Sequence, residues 1–264
     1  MSAVSSDPTD ARVLITTHPG HVGEVRLNRP PNNFFDVALI RAVARAYDDF
    51  DADPECRVIL LSPEGKHFCA GADFSPKERT PEEAADEANL YWEAVRLFKG
   101  AKPVVAVVQG GAIGGGLGLA CSADFRIASS EARFAANFSR LGFHHGFGLT
   151  VTLPEIVGRQ RALDLLYRGR RVGGEEAHAL GLCDIVVPGA QLREAALAYA
   201  ADIAVSGPLA LEAIRLTMRG NLGDRVHAAL THELEVQREL AATEDFREGI
   251  RASAERRPPE FHGR

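Results

Sequence analysis

Apolar residues recur at strand and helix spacings in turn over the first part of the chain, and at helix spacing alone from about residue 192 onward. Two short alternating runs, Val13–Thr17 and Val22–Leu27, flank the turn-forming pair Pro19-Gly20 and predict a β-hairpin. Apolar residues on one face of Leu39–Phe50 then predict an amphipathic helix with Asp36 as its N-cap.

The remaining elements of the first part follow from the same spacings and from turn residues. Strands are predicted at Arg57–Leu61, Phe125–Ala128 and Ile185–Val187, and helices at Thr80–Lys99, Leu149–Val157, Leu163–Leu166 and Gly174–Leu182. We expect Pro154 to interrupt its helix, because proline lacks the N–H group that a helix interior requires.

The last part of the chain carries helix signals only. Pro208 begins one helix, an apolar stripe marks a second and Thr243 caps a third. The stripe consists of Val226, Leu230 and Leu234. The chain is therefore predicted to be of α/β class, with a disordered leader at residues 1–10, a core domain at 11–190 and a helical C-terminal region at 191–264.

Composition favours one large soluble domain. The chain has 264 residues, of which 45% are hydrophobic and 25% charged. A formal net charge of −6 with no basic run gives no general attraction to nucleic acid or to anionic membranes. The four cysteines are widely scattered, which suits a reducing compartment, and no signal-peptide pattern begins the chain. We therefore expect a cytoplasmic protein.

The chain is organised around Pro103–Cys121, a β-branched run that breaks into a glycine-rich turn and opens a helix. Its nineteen uncharged residues could be taken for a membrane span, but the glycine density and Gln109 argue against one. The glycines do not have the spacing of a dinucleotide fingerprint, and the Gly-Lys-Ser/Thr of Walker A is absent. Free N–H groups at such a turn suit an anionic oxygen, and close packing of helix on strand is the equal alternative.

A second segment of small residues, Ala70-Gly71-Ala72-Asp73, also permits close approach of a ligand to the backbone. Other catalytic motifs are missing from the chain. No G-x-S-x-G occurs, and the pair His232-Glu233 lacks the second histidine of an H-E-x-x-H zinc site. We therefore expect no metal site.

Five pieces of the chain, in order, carry a resemblance to a known family. They are NRPPNNFF, HFCAGADFS, GGAIGGGLGLACSADFRIA, PEIVGRQRALDLLYRGRRVGGEEAHALGLCDIVV and EDFREGIRASAERRPPEF. Together they span about residues 10–262 and resemble the crotonase superfamily, the enoyl-CoA hydratase/isomerase family. The resemblance implies a spiral of ββα turns with a C-terminal helical trimerisation region, assembled as a homotrimer or a dimer of trimers. It also implies a CoA thioester substrate, with coenzyme A as part of that substrate and no separate cofactor.

The resemblance also implies an oxyanion hole, in which two backbone N–H groups stabilise the enolate of the thioester. Matched residue by residue, these donors fall on Ala72 and on Gly115. The same match predicts six residues that contact substrate: Phe68, Ala70, Gly71, Asp73, Gly114 and Phe138.

The chain departs from the family pattern at the two acids that hydratases use. Members with hydratase activity carry glutamates at the positions that are Gly118 and Phe138 in this chain. Neither residue can hold a water molecule or move a proton, so we expect no ordinary hydratase chemistry.

Two histidines are the predicted replacement for the missing acids. His144 and His145 lie where other members carry a catalytic aspartate, and histidine titrates near neutrality. Asp73 is a further candidate. We expect a lyase or isomerase that forms an enolate of an acyl- or enoyl-CoA and proceeds by isomerisation, C–C cleavage, decarboxylation or hydration with an unusual base. The alternatives are a non-catalytic acyl-CoA-binding protein and a C–C bond hydrolase of β-diketones.

Overall fold

The N-terminal alternation forms the predicted hairpin. In the computed structural model, which describes residues 12–73 and 90–264, β1 (Val13–His18) pairs antiparallel with β2 (Val22–Leu27), and Val13 lies opposite Leu27. β1 is largely exposed, whereas nearly all of β2 is buried. β1 is therefore the exposed edge strand of its sheet, and β2 belongs to the core.

The strands of the described residues form two sheets. The larger has the strand order β1-β2-β3-β4-β6-β9 and is parallel from β2 onward, and the smaller has the order β5-β7-β8. The remaining strands are β3 (Val58–Pro63), β4 (Val104–Val108), β5 (Gly111–Ile113), β6 (Phe125–Ser129), β7 (Arg133–Ala135), β8 (Arg171–Gly173) and β9 (Ile185–Val187). β3 and β4 are buried along their whole length, as expected of parallel strands covered on both faces.

Helices connect and cover these strands. They are α1 (Val37–Ala52), α2 (residues 90–97), α3 (Gly115–Ser122), α4 (Leu149–Val157), α5 (Arg159–Arg168), α6 (Gly174–Leu180), α7 (Leu192–Ala204), α8 (Pro208–Arg219), α9 (Leu222–Ala241) and α10 (Glu244–Glu255). Short 3₁₀ turns occupy Asn137–Leu141 and Gly189–Gln191. The predicted α/β class is confirmed.

Helix α1 begins where its local sequence predicts. The Asp36 carboxylate accepts a hydrogen bond from the Leu39 N–H at 2.8 Å, which satisfies one of the unpaired donors of the first turn. Nine residues of α1 are buried, among them Tyr47 and Phe50 on the predicted apolar face. The cap and the apolar face together fix this helix against the sheet.

Helix α7 packs directly on the large sheet. Leu192, Ala196 and Ala200 share a buried cluster with residues of β2 and β3, including Val22 and Val58. The division into a core domain at 11–190 and a helical C-terminal region at 191–264 stays a prediction. The predicted leader at residues 1–10 and the front of the predicted helix Thr80–Lys99 lie outside the described residues.

Several predicted bounds are wrong. Pro154 does not interrupt α4, which runs on to Val157, and α5 extends well beyond the predicted Leu163–Leu166. The last helix ends at Glu255, so the final residues are not helical. The apolar periodicity did not reveal β5, β7 or β8, because three-residue strands are shorter than the period it detects.

Helix α8 is attached to the body by charges. The Asp124 carboxylate, at the start of β6, accepts hydrogen bonds from Arg215 at 2.9 Å and from Arg219 at 2.7 Å. Arg215 is the one buried residue of α8, whereas much of the helix's apolar surface is exposed. This helix therefore contributes little apolar area to the body of the single chain.

The four cysteine thiols are all free and buried. Among the residues that the structure describes, no single helix has the length and apolar composition of a membrane span. One sharply bent pair of helices, Gly189–Ala204 with Pro208–Arg219, meets the criterion by length and composition alone.

Candidate active site

The glycine-rich turn ends at the first residue of α3, and its backbone geometry sets the direction of one N–H group. The Gly114 carbonyl accepts hydrogen bonds from Leu117 N–H at 3.0 Å and from Gly118 N–H at 3.3 Å, so it points along the helix. Because the peptide bond is planar and trans, the Gly115 N–H points the opposite way, out of the helix N-terminus. The positive end of the helix dipole lies at the same place.

A second N–H group is directed by the segment before Asp73. On one side Cys69 forms two hydrogen bonds with β5. Its N–H donates to the Gly111 carbonyl and its carbonyl accepts from the Ile113 N–H, both at 3.0 Å. The Gly71 carbonyl accepts from the Phe35 N–H at 3.0 Å on the other side. The same peptide geometry turns the Ala72 N–H away from residue 35.

The two segments touch through their glycines. A Cβ added to Gly71 would lie 3.6 Å from the Gly115 nitrogen, and one added to Gly116 would lie 2.1 Å from the Cys69 carbonyl oxygen. Gly71 also has a φ of +89°, which side chains disfavour. Within residues 12–73 and 90–264, no main-chain carbonyl accepts from the Ala72 or the Gly115 N–H. Two available donors therefore stand on adjacent segments.

Two phenylalanine rings lie beside the Gly115 segment. Phe35 and Phe147 lie 5.3 Å apart between ring centroids, and a Cβ on Gly115 would meet Phe35 Cζ at 2.4 Å. A Cβ on Gly118 would lie 2.5 Å from the Phe147 Cβ. The space that a longer side chain at Gly118 would need is therefore filled by Phe147, so the first of the two acid positions is apolar.

The second acid position is also aromatic. Phe138 lies on the 3₁₀ turn Asn137–Leu141 and is 8% exposed. Its Cζ would lie 3.8 Å from a Cβ on Gly114, and its ring centroid is 6.4 Å from that of His145. Phe138 is thus the shared neighbour of the glycine-rich turn and of the predicted histidine pair.

The two histidines are stacked in the loop before α4. Their ring centroids are 4.1 Å apart, with an interplanar angle of 24°. His144 Nδ1 lies 2.7 Å from the His145 carbonyl oxygen, and a carbonyl can only accept, so Nδ1 carries a proton. His145 Nε2 lies 2.9 Å from the Thr150 hydroxyl oxygen.

The surroundings of His145 keep its ring neutral. Burial, and after it the nearby rings of His144 and His232, lower the pKa of His145 to about 4. At neutral pH the ring therefore has one nitrogen without a proton, which a general base requires.

Of the other predicted contacts, Phe68 is fully buried, and its N–H donates to the Gln109 carbonyl at 2.8 Å. Ala70 N–H donates to the Asn32 carbonyl at 2.9 Å, and Asp73 lies half-buried directly after Ala72. Their predicted contacts with substrate stay predictions. In the described part of the chain, no group of three or more His, Cys, Asp or Glu side chains could hold a metal ion.

Sequence reasoning missed the polar side chains of α9 that hold the histidine loop. Glu233, which is fully buried, accepts from the Gly148 N–H at 2.9 Å and from the Thr150 N–H at 3.0 Å. Gln237 donates to the His144 carbonyl at 3.0 Å and accepts from the Tyr91 hydroxyl at 2.5 Å.

A signal for these two residues exists in the sequence. Glu233 and Gln237 continue the buried stripe of Val226 and Leu230, whereas the predicted stripe member Leu234 is only half-buried. Polar residues at core positions of a helix indicate polar partners inside the protein.

Comparison with known proteins defines the class. The chain belongs to the enoyl-CoA hydratase/isomerase family, whose model matches residues 17–264. The crotonase-like fold is confirmed by a solved enoyl-CoA hydratase/isomerase from Pseudoalteromonas atlantica, which has 28% identity, a TM-score of 0.83 and covers 95% of this chain and 100% of its own.

Curated relatives of this chain carry different activities in their names. Enoyl-CoA hydratase EchA19 of Mycobacterium tuberculosis is 32% identical over 100% of both chains. The 1,2-epoxyphenylacetyl-CoA isomerase of Escherichia coli is 31% identical over 90% of this chain and 94% of its own. The 2,3-dehydroadipyl-CoA hydratase of Escherichia coli is 32% identical over 95% and 99%. The family therefore includes both hydratases and isomerases among the proteins similar to this chain.

Proposed function

We propose that this protein is an enzyme that forms and reprotonates the enolate of an acyl- or enoyl-CoA thioester, with a histidine as the proton carrier. The observation that supports the proposal is the close contact between the Gly71 and Gly115 segments, which carry two N–H groups without a main-chain acceptor among the described residues. Two such donors, 2.7–3.1 Å from a developing oxyanion, stabilise it strongly because they need no reorganisation during the reaction.

The thioester carbonyl oxygen binds between the Ala72 and Gly115 N–H groups in this proposal. Withdrawal of electron density by these donors acidifies the Cα–H bond next to the carbonyl. His145 accepts the Cα proton and leaves an enolate whose negative charge rests on the oxygen between the two amides. Return of the same proton to another carbon of an enoyl chain gives a double-bond isomer, so atoms and charge balance without a cofactor beyond the CoA of the substrate.

Isomerisation is favoured over hydration by the walls of the site. Hydration needs groups that orient water, and the two positions that would supply them are Gly118, covered by Phe147, and Phe138. Aromatic carbon can neither hold a water molecule nor take its proton.

His145 is favoured over His144 because its ring adjoins Phe138, which in turn adjoins the glycine-rich turn. His144 Nε2 is the second choice, since the proton on its Nδ1 is held by the His145 carbonyl. Asp73, which directly follows Ala72, is the remaining candidate.

The test is exchange of the Cα proton in D₂O. A panel of acyl- and enoyl-CoAs is incubated with enzyme, and mass spectrometry measures incorporation of deuterium, gain of water or cleavage. We expect deuterium incorporation and double-bond migration, and we expect His145→Gln to reduce both at least about 100-fold while thioester binding persists. His262→Gln, in the exposed C-terminal segment, is the matched control.

The other outcomes identify the alternatives. Tight binding of every thioester with no exchange means a non-catalytic acyl-CoA-binding protein. Cleavage of a β-diketone that carries no CoA means a C–C bond hydrolase. Full activity in His145→Gln removes this histidine from the mechanism.

We also propose that the chain assembles as a homotrimer or a dimer of trimers through its helical C-terminal region. Four large apolar residues of α8 are exposed in the single chain, with exposed fractions of 80% for Leu209, 60% for Ile214, 74% for Leu216 and 81% for Met218. Covering a leucine is worth about 1.5–3 kcal/mol. Light scattering after size-exclusion chromatography gives the mass, and a monomer would contradict this assembly.

A further inference from the structure

A buried carboxylate stands behind the histidine loop and has no role in the chemistry above. Glu233 lies in the middle of α9, and its side chain is 0% exposed. Burial raises the pKa of Glu233, and the hydrogen bonds from Thr150 and Gly148 oppose that rise. Each carboxylate oxygen receives a main-chain N–H at the start of α4. A buried carboxylate with these donors is held in one orientation.

The same carboxylate is joined to His145 through one side chain. The Thr150 hydroxyl donates to Glu233 Oε1 at 2.6 Å, and its oxygen lies 2.9 Å from His145 Nε2. Oε1 also receives the Thr150 N–H and Oε2 receives the Gly148 N–H, and donors to both oxygens favour the ionised form, which can only accept. The short contact therefore takes the single hydroxyl proton of Thr150.

The direction of this bond determines the protonation of the histidine ring. Because the Thr150 proton is committed to Glu233, the contact with His145 exists only if His145 Nε2 carries a proton and donates it. A neutral ring with its proton on Nε2 has a lone pair on Nδ1. In His144 the other ring nitrogen, Nδ1, carries the proton.

We propose that Glu233, acting through Thr150, is a positioning residue that fixes His145 in the tautomer with a free Nδ1, the atom that takes the substrate proton. This inference rests on the proposed role of His145 as base. Glu233 itself does not touch substrate. The acid of the site therefore lies behind the base, on the C-terminal helix α9, instead of at the two positions where Gly118 and Phe138 stand.

Helix capping alone accounts for only part of this arrangement. As a cap for α4, Glu233 needs the N–H groups of Gly148 and Thr150 and no hydroxyl. The third contact runs through the hydroxyl of Thr150, an exposed residue, and capping of α4 does not require it. Replacement of that hydroxyl separates the two roles, because Thr150→Val keeps the N–H and the shape and removes only the link to His145.

The experiment records the imidazole ¹⁵N resonances of the histidine-labelled enzyme, with His145 assigned from the spectrum of His145→Gln. We expect wild type to show one tautomer of His145, protonated at Nε2. In Thr150→Val the two nitrogen resonances should move toward each other, and kcat for Cα proton exchange should fall about 10-fold to 100-fold with KM within about twofold. Thr150→Ser should restore both readouts.

Thr152→Val is the matched control. Thr152 lies on the same helix, and its hydroxyl donates to the Gly148 carbonyl at 3.1 Å without reaching His145. The Thr152→Val enzyme should therefore have the same His145 ¹⁵N resonances and the same kcat as wild type. A wild-type spectrum with the proton on Nδ1, or a Thr150→Val enzyme equal to wild type in both readouts, overturns the proposal. Unchanged exchange in His145→Gln instead overturns the role of His145 itself, so the two failures are distinct.

Discussion

A methyl group at Gly116 should separate the two segments that carry the proposed donors. In Gly116→Ala, the new Cβ would start 2.1 Å from the Cys69 carbonyl oxygen and 2.7 Å from the Cys69 carbonyl carbon. Both are backbone atoms, so no side-chain rotation relieves the clash. Ordinary contact begins near 3.4 Å, and the segment before Ala72 must therefore move away from α3 by roughly 1 Å or more.

That movement has a cost in rate and a smaller cost in stability. Misplacement of catalytic groups by about 1 Å reduces rates about 100-fold, and loss of one donor to an oxyanion costs about 10²–10³ in kcat. We therefore expect kcat/KM for Cα proton exchange to fall at least about 100-fold. Overpacking of this kind destabilises a protein by about 1–3 kcal/mol, which still leaves a folded enzyme.

The assay compares exchange rates with unfolding in urea followed by circular dichroism. Gly207→Ala is the control, because the nearest atom to its new Cβ is that of Ala210 at 3.9 Å and its φ is −60°. It should differ from wild type by less than about 1 kcal/mol in stability. A folded Gly116→Ala enzyme with kcat/KM within about threefold of wild type would refute the reasoning.

Three further predictions follow from buried and exposed charges and from the α8 surface. Because the pKa of His145 is lowered to about 4, kcat/KM should stay nearly constant from pH 8 to about pH 5 and fall only below that pH. A profile in which kcat/KM is halved near pH 6.5 would contradict a buried neutral base. Glu24, 1% exposed and held by both Arg193 nitrogens at 2.8 Å, should lose about 3 kcal/mol of unfolding free energy as Glu24→Gln, measured in urea. Glu64→Gln, at a side chain that is 45% exposed, should lose less than about 1 kcal/mol of unfolding free energy. Equal losses in the two variants would contradict the larger contribution expected of the buried carboxylate. Leu216→Glu should lower the mass found by light scattering to that of one chain, and an unchanged mass would exclude α8 from the interface.

The pKa of Glu24 also predicts how stability depends on pH. Burial alone would raise this pKa, but hydrogen bonds from Arg193, Ser62, His18 and Arg26 offset it and hold the pKa well below its ordinary range. The folded chain therefore keeps the carboxylate ionised where the unfolded chain has taken up a proton. Its stabilising contribution is complete above the ordinary pKa of glutamate and is lost as the pH falls below it.

Local chemistry made part of the fold predictable. The Asp36 cap, the hairpin at Pro19-Gly20 and the helix that opens after Gly114 depend on residues within a few positions of one another. Turn and cap preferences act at this range, so the sequence indicates them directly. Pro154 does not interrupt α4, contrary to the prediction, because packing of this helix in the core outweighs the loss of one helical hydrogen bond.

The rest of the site depends on contacts between distant parts of the chain. Phe147 fills the space beside Gly118 only because its loop turns back through a φ of +60°, which the hydrophobic pattern does not encode. Glu233 and Thr150 are 83 positions apart in the chain. In the sequence, Glu233 stands out only as part of the pair His232-Glu233, an incomplete zinc motif. Family resemblance supplied the positions of the donors, and the structure supplied what surrounds them.

The most direct test of the central claim is the carbonyl stretch of a bound thioester. Isotope-edited infrared difference spectra of an acyl-CoA labelled with ¹³C at the thioester carbonyl isolate this one vibration in the complex. Two converging N–H donors should move the band to lower wavenumber than in water, and Gly116→Ala should reduce that shift. A band at the same wavenumber in the complex as in free solution would contradict the claim that Ala72 and Gly115 polarise the thioester.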